Sequence, residues 1–262
     1  MKIDVCLETV FTHLPAAQRI ELIARAGYQV VEFWFQDSES AAAIRRACDQ
    51  HGVAINNLVV NSPDGSTGGA PVNAADLTRY LERVEEMIAF AKAIDCHKGI
   101  TCAGNLQLGL SRVQMRANLE KAYGLAAEIA AKHDFLLVVE PLNTHVDHAG
   151  YFLDSSDEGA AIVRSINNPA LRLLYDVYHM QIMEGNLIAH IEKHIDVIGH
   201  FHSAGVPGRH EVFDGEINYP AIVKRIEALG YQGCFGLEYM PAMTDHMESL
   251  TQTLAYLNPA AV

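Results

Sequence analysis

Four apolar stretches in the second half of the sequence each end in a side chain that can bind a metal ion. The stretches read FLLVVE, LRLLYD, VIGHFH and CFGLE, and their last residues are Glu140, Asp176, His202 and Glu238. An ionised carboxylate is unfavourable in an apolar surrounding unless it is paired or bound to a metal. Three carboxylates close together would also repel one another without a neutralising cation. The pattern therefore predicts one divalent metal site formed by these four residues.

The donor set indicates which metal and which chemistry to expect. Oxygen-rich ligation with one imidazole suits Mn²⁺ or Mg²⁺ and allows Co²⁺, whereas zinc usually takes more nitrogen or sulfur ligands. A metal that binds a carbonyl and a neighbouring hydroxyl acidifies the adjacent C–H bond. Two carboxylates can then take a proton from one carbon and return it to the next. We interpret Glu140 and Glu238 as this acid–base pair, with ordinary strand-end acids as the alternative.

Such a site requires parallel strands that end at one edge, and the sequence predicts them. Apolar runs and helical patterns alternate eight times over residues 1–262, without a linker or a change in composition. This alternation is typical of a single-domain (β/α)8 TIM barrel, whose active site lies at the carboxyl ends of the strands. A doubly wound sheet is the alternative, but no glycine fingerprint follows the first strand. The predicted strands are residues 2–7, 30–35, 53–60, 98–103, 135–140, 171–176, 197–202 and 234–238.

Composition limits the partners and the location that we expect. The formal net charge of -13 and the absence of a basic run are unfavourable for a nucleic-acid surface. We find neither a signal peptide nor an apolar span long enough for a membrane helix, so we expect a soluble, cytoplasmic protein. The five cysteines are scattered without a CxxC pair, which suits reduced thiols. Association into a homo-oligomer is left open.

Four motifs point to a known family. EPLN spans residues 140–143, HAGYFL spans 148–153, YDVYHMQ with MEG spans 175–185, and GEINY spans 215–219. Together they resemble the hydroxypyruvate isomerase family of xylose-isomerase-like TIM barrels. Its relatives include ketose 3-epimerases and oxo-tetronate isomerases. The resemblance covers most of the chain and is densest in its second half.

The resemblance implies an activity and a role for each site residue. The implied reaction converts the small hydroxy-carbonyl compound hydroxypyruvate to tartronate semialdehyde by proton transfer between two glutamates. A ketose 3-epimerase or a 2-oxo-tetronate isomerase with the same site is the alternative. The implied roles are proton transfer by Glu140 and Glu238, metal binding by these two with Asp176 and His202, and substrate binding by His179 and Arg209.

Three features depart from the family pattern, one at the metal site and two at the substrate pocket. Some hydroxypyruvate isomerases carry glutamine where His202 stands, so this histidine favours an epimerase-like metal site. The first strand ends in Leu7 and Glu8 instead of a small polar residue, and residues 57–60 lack the histidine expected at the end of strand three. These strand ends line the pocket of a barrel, so the substrate is less well determined than the chemistry.

Several side chains have a simpler interpretation beside the functional one. His179 could be a surface residue of a helix after strand six, and Arg209 a solvated loop residue. Glu32 shares a strand face with Trp34, and a buried ion pair with Arg172 or His200 is favoured over catalysis. We interpret His190 and His194 as partly exposed structural residues. The Gly- and Ser-rich loop at residues 61–73 is either a lid or a plain connector.

Two other classes of function remain as rivals. The same fold supports metal-dependent phosphodiesterases that act at DNA lesions, which would need more converging histidines and a basic face. It also supports sugar-binding barrels without turnover. Fold alone does not decide among these functions.

Overall fold

The predicted (β/α)8 barrel is confirmed by a computed structural model that describes residues 1–34 and 41–258. Eight parallel strands pair in chain order, and β8 closes the barrel against β1. Phe35, in the predicted second strand, lies outside the described residues. The strands are β1 (Lys2–Cys6), β2 (Val30–Phe33), β3 (Ala54–Val59), β4 (Lys98–Thr101), β5 (Leu136–Val139), β6 (Leu171–Asp176), β7 (Ile198–Ser203) and β8 (Cys234–Leu237).

Nine α-helices lie among the described residues, and most of them connect one strand to the next. Within this part of the chain, no helix is long and apolar enough to cross a membrane. The helices are α1 (Ala16–Arg25), α2 (Ala41–His51), α3 (Leu77–Ala93), α4 (Arg112–Lys132), α5 (Ser156–Ile166), α6 (Val177–Met183), α7 (Leu187–His194), α8 (Tyr219–Ala228) and α9 (His246–Leu257).

Helix α6 follows β6 without a loop and includes His179, for which a helix after strand six was one alternative. The Asp176 carboxylate ends the strand and caps the helix, because its Oδ1 accepts the backbone N–H groups of Tyr178 at 2.7 Å and His179 at 3.3 Å. This cap holds one carboxylate oxygen, while Oδ2 faces the His179 ring, 3.5 Å from Nε2. The strand-ending acid therefore has a structural oxygen and an oxygen that faces the barrel mouth.

The interior of the barrel is apolar on one side and polar on the other. An apolar cluster, separate from the large core between sheet and helices, consists of Val59, Ile100, Val138 and Leu174. The buried polar side chains of β1, β2, β3 and β7 include Asp4, Glu32, Asn57, His200 and His202. Buried polar groups are costly unless they find partners. We therefore expect these polar side chains to contact the residues of the site at the barrel mouth.

Strand register places Asp176 and His202 side by side. Asp176 pairs with His202 across β6 and β7, and His202 pairs with Gly236 across β7 and β8. A Cβ atom at Gly236 would lie 2.8 Å from Cδ2 of His202 and 3.0 Å from Oε1 of Glu32. The glycine on β8 therefore leaves room beneath the site for these two side chains.

Candidate active site at the carboxyl ends of the strands

A cavity of about 220 Å³ opens at the carboxyl ends of the strands. Trp34, Val59 and Leu142 contribute apolar surface to the wall. The polar side chains that line the cavity are Glu140, His148, His179, Arg209 and Glu238. Four of these five belong to the predicted site, so prediction and cavity coincide.

The predicted metal-binding residues converge beneath this cavity. One oxygen from each of Glu140, Asp176 and Glu238 and one ring nitrogen of His179 lie within 4.8 Å of one another. Nδ1 of His202 lies 3.3 Å from Oε1 of Glu140 and 3.5 Å from Oε2 of Glu238. All five side chains are buried. The structure thus brings the four predicted residues together and adds His179 to them.

The hydrogen bonds of His179 decide which of its nitrogens carries the proton. The Asn143 side chain accepts the backbone N–H groups of Val146 and Asp147 at its Oδ1, so its amide nitrogen faces the other way. That nitrogen lies 2.7 Å from Nδ1 of His179, and the backbone N–H of Asn143 donates to the same Nδ1 at 3.2 Å. Nδ1 is therefore an acceptor, and the proton of the neutral ring is on Nε2.

His179 consequently acts as a hydrogen-bond donor and not as a metal ligand. Burial, with the positive charge of Arg209 and the neighbouring His148, holds the pKa of His179 well below its usual value, so the ring stays neutral. Its Nε2 is buried without a hydrogen-bond partner among the described residues. The alternative of a surface histidine is wrong. The remaining imidazole donor that faces the carboxylates is Nδ1 of His202.

The residues present fit a hard or borderline divalent cation. Burial raises the pKa of Asp176 to about 7, and the negative charges of Glu140 and Glu238 contribute to this shift. Burial also raises the pKa of Glu140. Two of the three carboxylates thus resist ionisation in the protein alone, as expected where a cation normally compensates the charge. Three carboxylates and one imidazole would hold Mn²⁺, Mg²⁺ or Co²⁺.

The two glutamates have different surroundings. Both oxygens of Glu238 have partners, because Oε1 accepts Nε1–H of Trp34 at 2.5 Å and Oε2 accepts an N–H of Arg209. Burial pushes the pKa of Glu238 upward, but Arg209 and His202 outweigh it and hold the pKa well below its usual value. The Glu140 carboxylate has a hydrogen-bond contact between its Oε1 and Nδ1 of His202. The pair therefore combines an ionised, fixed carboxylate with a more readily protonated one.

Arg209 points into the cavity from the loop after β7. Its backbone has φ of 59°, a left-handed conformation that is costly for a residue other than glycine and is often found at functional sites. The guanidinium group lies over the Tyr178 ring at 5.3 Å and contacts Glu238. Its Nε is buried and has no hydrogen-bond partner in the described part of the chain. The alternative of a solvated loop arginine is wrong.

Two further expectations concern the surroundings of the site. Glu32 pairs with His200, whose Nε2 lies 3.0 Å away, whereas Arg172 donates to the backbone of Asp196 instead. In the loop at residues 61–73, the Asn61 side chain bonds to the backbone at both Gly69 and Cys102. The loop is thereby fastened to β4 and forms part of the cavity wall through Pro63. Its movement as a lid stays a prediction.

A second cluster of metal-binding residue types lies between α5 and α7, away from the cavity. His194 is buried, so the expectation of partial exposure holds for His190 alone. Nε2 of His194 lies 2.5 Å from Asp157, and Arg164 donates to its Nδ1 at 3.3 Å. Lys193 donates to both oxygens of Asp157 at 2.8 Å. Because these groups already have partners, we interpret the cluster as an ion-pair network that joins the two helices.

Sequence comparisons identify the relatives of this chain. A family model described as xylose isomerase-like TIM barrel matches residues 20–258. The 2-oxo-tetronate isomerase of Cupriavidus necator is 33% identical over 230 residues, which cover 85% of this chain and 86% of that protein. The hydroxypyruvate isomerase of Escherichia coli strain K12 is 31% identical over 252 residues, which cover 93% of this chain and 95% of that protein.

Solved structures show the same architecture. A crystal structure described as an AP endonuclease of family 2 from Brucella melitensis superposes with a TM-score of 0.89 at 31% identity and covers 99% of both chains. A D-allulose 3-epimerase from Methylomonas sp., in complex with D-allulose, superposes with a TM-score of 0.84 and covers 99% of this chain and 96% of its own. At 17% identity, the second likeness shows the fold alone.

Proposed function

Because the chain belongs to the xylose isomerase-like TIM barrel family, we propose that it is a metal-dependent isomerase of a small hydroxy-carbonyl acid. The observation that carries this proposal is the pair Glu140 and Glu238. Their carboxylates come from β5 and β8, lie in one small cavity and both contact Nδ1 of His202. Two carboxylates that face one substrate can take a proton from one carbon and supply one to the next.

Hydroxypyruvate is the substrate that we propose first, with 2-oxo-tetronate as the alternative. Both names occur among relatives that are more than 30% identical to this chain. Arg209 is the one Lys or Arg among the residues that line the described cavity, and its unpartnered Nε–H can bind a substrate carboxylate. The cavity that would hold the substrate has a volume of about 220 Å³.

The reaction that we propose exchanges the positions of a carbonyl and a hydroxyl. A proton leaves C3 of hydroxypyruvate to one glutamate, C2 receives a proton, and the proton of the C3 hydroxyl passes to the oxygen on C2, which gives tartronate semialdehyde. Nε2–H of His179 donates to the substrate oxygen on which negative charge develops. A divalent metal held by Glu140, Asp176, His202 and Glu238 would supply further stabilisation of that charge.

A substrate panel tests the proposed specificity. We expect kcat/KM for hydroxypyruvate or 2-oxo-tetronate to exceed that for D-allulose by about 10- to 100-fold, because only the acids form a charged hydrogen bond with Arg209. The product is identified by proton NMR in a buffer that contains Mg²⁺ and no Mn²⁺. Its identity distinguishes isomerisation from epimerisation. A preference for the ketose, with an epimer as product, would assign the protein to the epimerases instead.

The orientation of His179 leads to a separate prediction. In the Asn143→Ala variant, Nδ1 of His179 loses the side-chain donor at 2.7 Å, so the ring is less firmly held with Nε2–H toward the substrate. We expect kcat/KM for the preferred acid to fall about tenfold, which corresponds to about 1.4 kcal/mol. Asn118→Ala, which removes a bond to the backbone of Val72 outside the cavity, serves as the control. Equal kcat/KM in both variants would contradict this role.

A further inference from the structure

Glu32 does not line the cavity, yet its carboxylate contacts a residue of the metal site from below. Its Oε1 lies at an ion-pair distance of 2.9 Å from Nε2 of His202, and both atoms are buried without a hydrogen-bond partner in the described part of the chain. Its Oε2 accepts Nδ2–H of Asn57 at 2.5 Å and lies 3.0 Å from Nε2 of His200. The carboxylate is buried, with an exposed fraction of 2%. Nδ2 of Asn57 and Nε2 of His200 therefore hold Oε2 in position, and Oε1 is left facing Nε2 of His202.

The bonds of His200 show that it donates to Glu32. Lys98 donates to Oδ1 of Asn56 at 3.0 Å, so Nδ2 of Asn56 points the other way, toward Asp4 at 2.6 Å. The same Nδ2 lies 3.4 Å from Nδ1 of His200, which leaves the proton of that ring on Nε2. Asn57 and His200 thus both direct hydrogens at Oε2 of Glu32, and Oε1 is left as an acceptor for His202.

The fold leaves space for this contact at one position. Gly236 lies between the rings of His200 and His202 and the carboxylate of Glu32. A Cβ atom there would lie 2.8 Å from His202, 3.0 Å from Glu32 and 3.2 Å from His200. Such distances require atoms to shift, so a larger residue at this position would displace the contact.

We propose that Glu32 is a positioning residue of the metal site, which accepts Nε2–H of His202 and thereby presents the Nδ1 lone pair to the metal. This inference rests on the proposed function, because it takes His202 as the imidazole ligand. A carboxylate behind a ligating histidine fixes the ring orientation and the position of its proton. Loss of such a partner typically weakens metal binding by about 10- to 100-fold.

The test is calorimetric titration of Mn²⁺ into EDTA-stripped, dialysed protein. In the Glu32→Gln variant, the amide oxygen must accept the hydrogens of Asn57 and His200. The amide nitrogen then faces His202. This nitrogen is a donor and favours the His202 ring with its proton on Nδ1, the wrong atom for ligation. We expect the Kd for Mn²⁺ to rise about 10- to 100-fold. The control is Asp4→Asn, which alters the same buried network without touching His202, and its Kd should match that of the wild type.

The outcomes distinguish a failure of the role proposed for Glu32 from a failure of the proposed metal site. If wild-type protein binds Mn²⁺ and Glu32→Gln binds it with the same Kd, the role of Glu32 is overturned and the metal site stands. If the wild-type protein takes up no Mn²⁺, both proposals fail. Gly236→Ala provides a second variant, should Glu32→Gln not fold, because its methyl group separates Glu32 from His202 while both side chains remain. It should also raise the Kd, and an unchanged Kd would overturn the inference.

Discussion

Replacing Glu140 or Glu238 is expected to abolish turnover while the barrel remains folded. General acid–base catalysis by one positioned group is worth about 10²- to 10⁴-fold, and each glutamate is also proposed to hold the metal. Glutamine keeps the size of the side chain and its ability to accept a hydrogen bond, but it cannot take up a proton. Glu140→Gln and Glu238→Gln should therefore each lose at least 10²-fold in kcat, and the alanine variants should show no measurable turnover.

The measurement is a steady-state assay at saturating Mn²⁺, together with a thermal unfolding curve for each variant. Saturating metal separates loss of proton transfer from loss of metal affinity. Glu128→Gln is a matched control, because Glu128 is exposed on α4 and does not line the cavity. If both glutamine variants keep most of the activity, Glu140 and Glu238 are not the acid–base pair.

The second large effect is expected at Asp176, which has one structural and one functional oxygen. In Asp176→Asn, the backbone N–H groups of Tyr178 and His179 still need an acceptor, so Oδ1 remains at the helix cap. The amide nitrogen then replaces Oδ2 in the metal site and presents hydrogens where a cation should bind. A bound metal supplies several kcal/mol, so we expect kcat/KM to fall by about 10²- to 10³-fold. Stripping the wild type with EDTA should have an effect of similar size, reversed by Mn²⁺ or Mg²⁺.

A second cap residue provides the control for this variant. Asp245 caps α9 in the same way, with Oδ1 accepting the N–H groups of Met247 at 2.9 Å and Glu248 at 3.1 Å. Asp245→Asn makes the same chemical change at a cap that is not part of the proposed site. It should retain wild-type turnover and Mn²⁺ affinity. Full activity of Asp176→Asn, or of the EDTA-treated wild type, would argue against a metal-dependent reaction.

The sequence predicted the elements that have a strong local pattern. All eight strands form, and β6 has the predicted bounds, because an apolar run followed by an ionisable residue marks where a buried strand ends. Glu140 and Glu238 were predicted inside their strands and instead follow β5 and β8 directly. A helix after strand six was considered at His179, but its bounds, Val177–Met183, were not predicted. The acid at its N-terminus, Asp176, is a known type of start signal for a helix.

The contacts around the predicted residues could not be predicted from the sequence. Asn143, which orients His179, lies in the EPLN motif, but its role depends on a ring that is 36 positions away in the chain. Trp34 reaches Glu238 across 204 positions. Glu32 was expected to point inward, which is correct, but its contact with His202 depends on how β2 and β7 face each other across the closed barrel. Periodicity shows which face of a strand is buried, and it does not show which strands oppose each other inside a barrel.

The rival functions make different demands on the surface and on the site. A phosphodiesterase that acts on DNA needs a basic face, because phosphate contacts supply much of the affinity. The net charge of -13 is unfavourable for such a surface. A sugar-binding barrel without turnover needs no pair of carboxylates with different protonation behaviour. Glu140 and Glu238, with raised and lowered pKa values respectively, are typical of a site that moves protons.

The most direct test of proton transfer between neighbouring carbons is deuterium exchange followed by proton NMR. Purified protein in D₂O with Mg²⁺ is given hydroxypyruvate, and an EDTA-treated sample serves as the reference. We predict metal-dependent incorporation of deuterium at the carbon beside the carbonyl, with tartronate semialdehyde as the product. If neither hydroxypyruvate nor 2-oxo-tetronate exchanges a C–H proton in the metal-loaded protein, the proposed isomerisation is wrong.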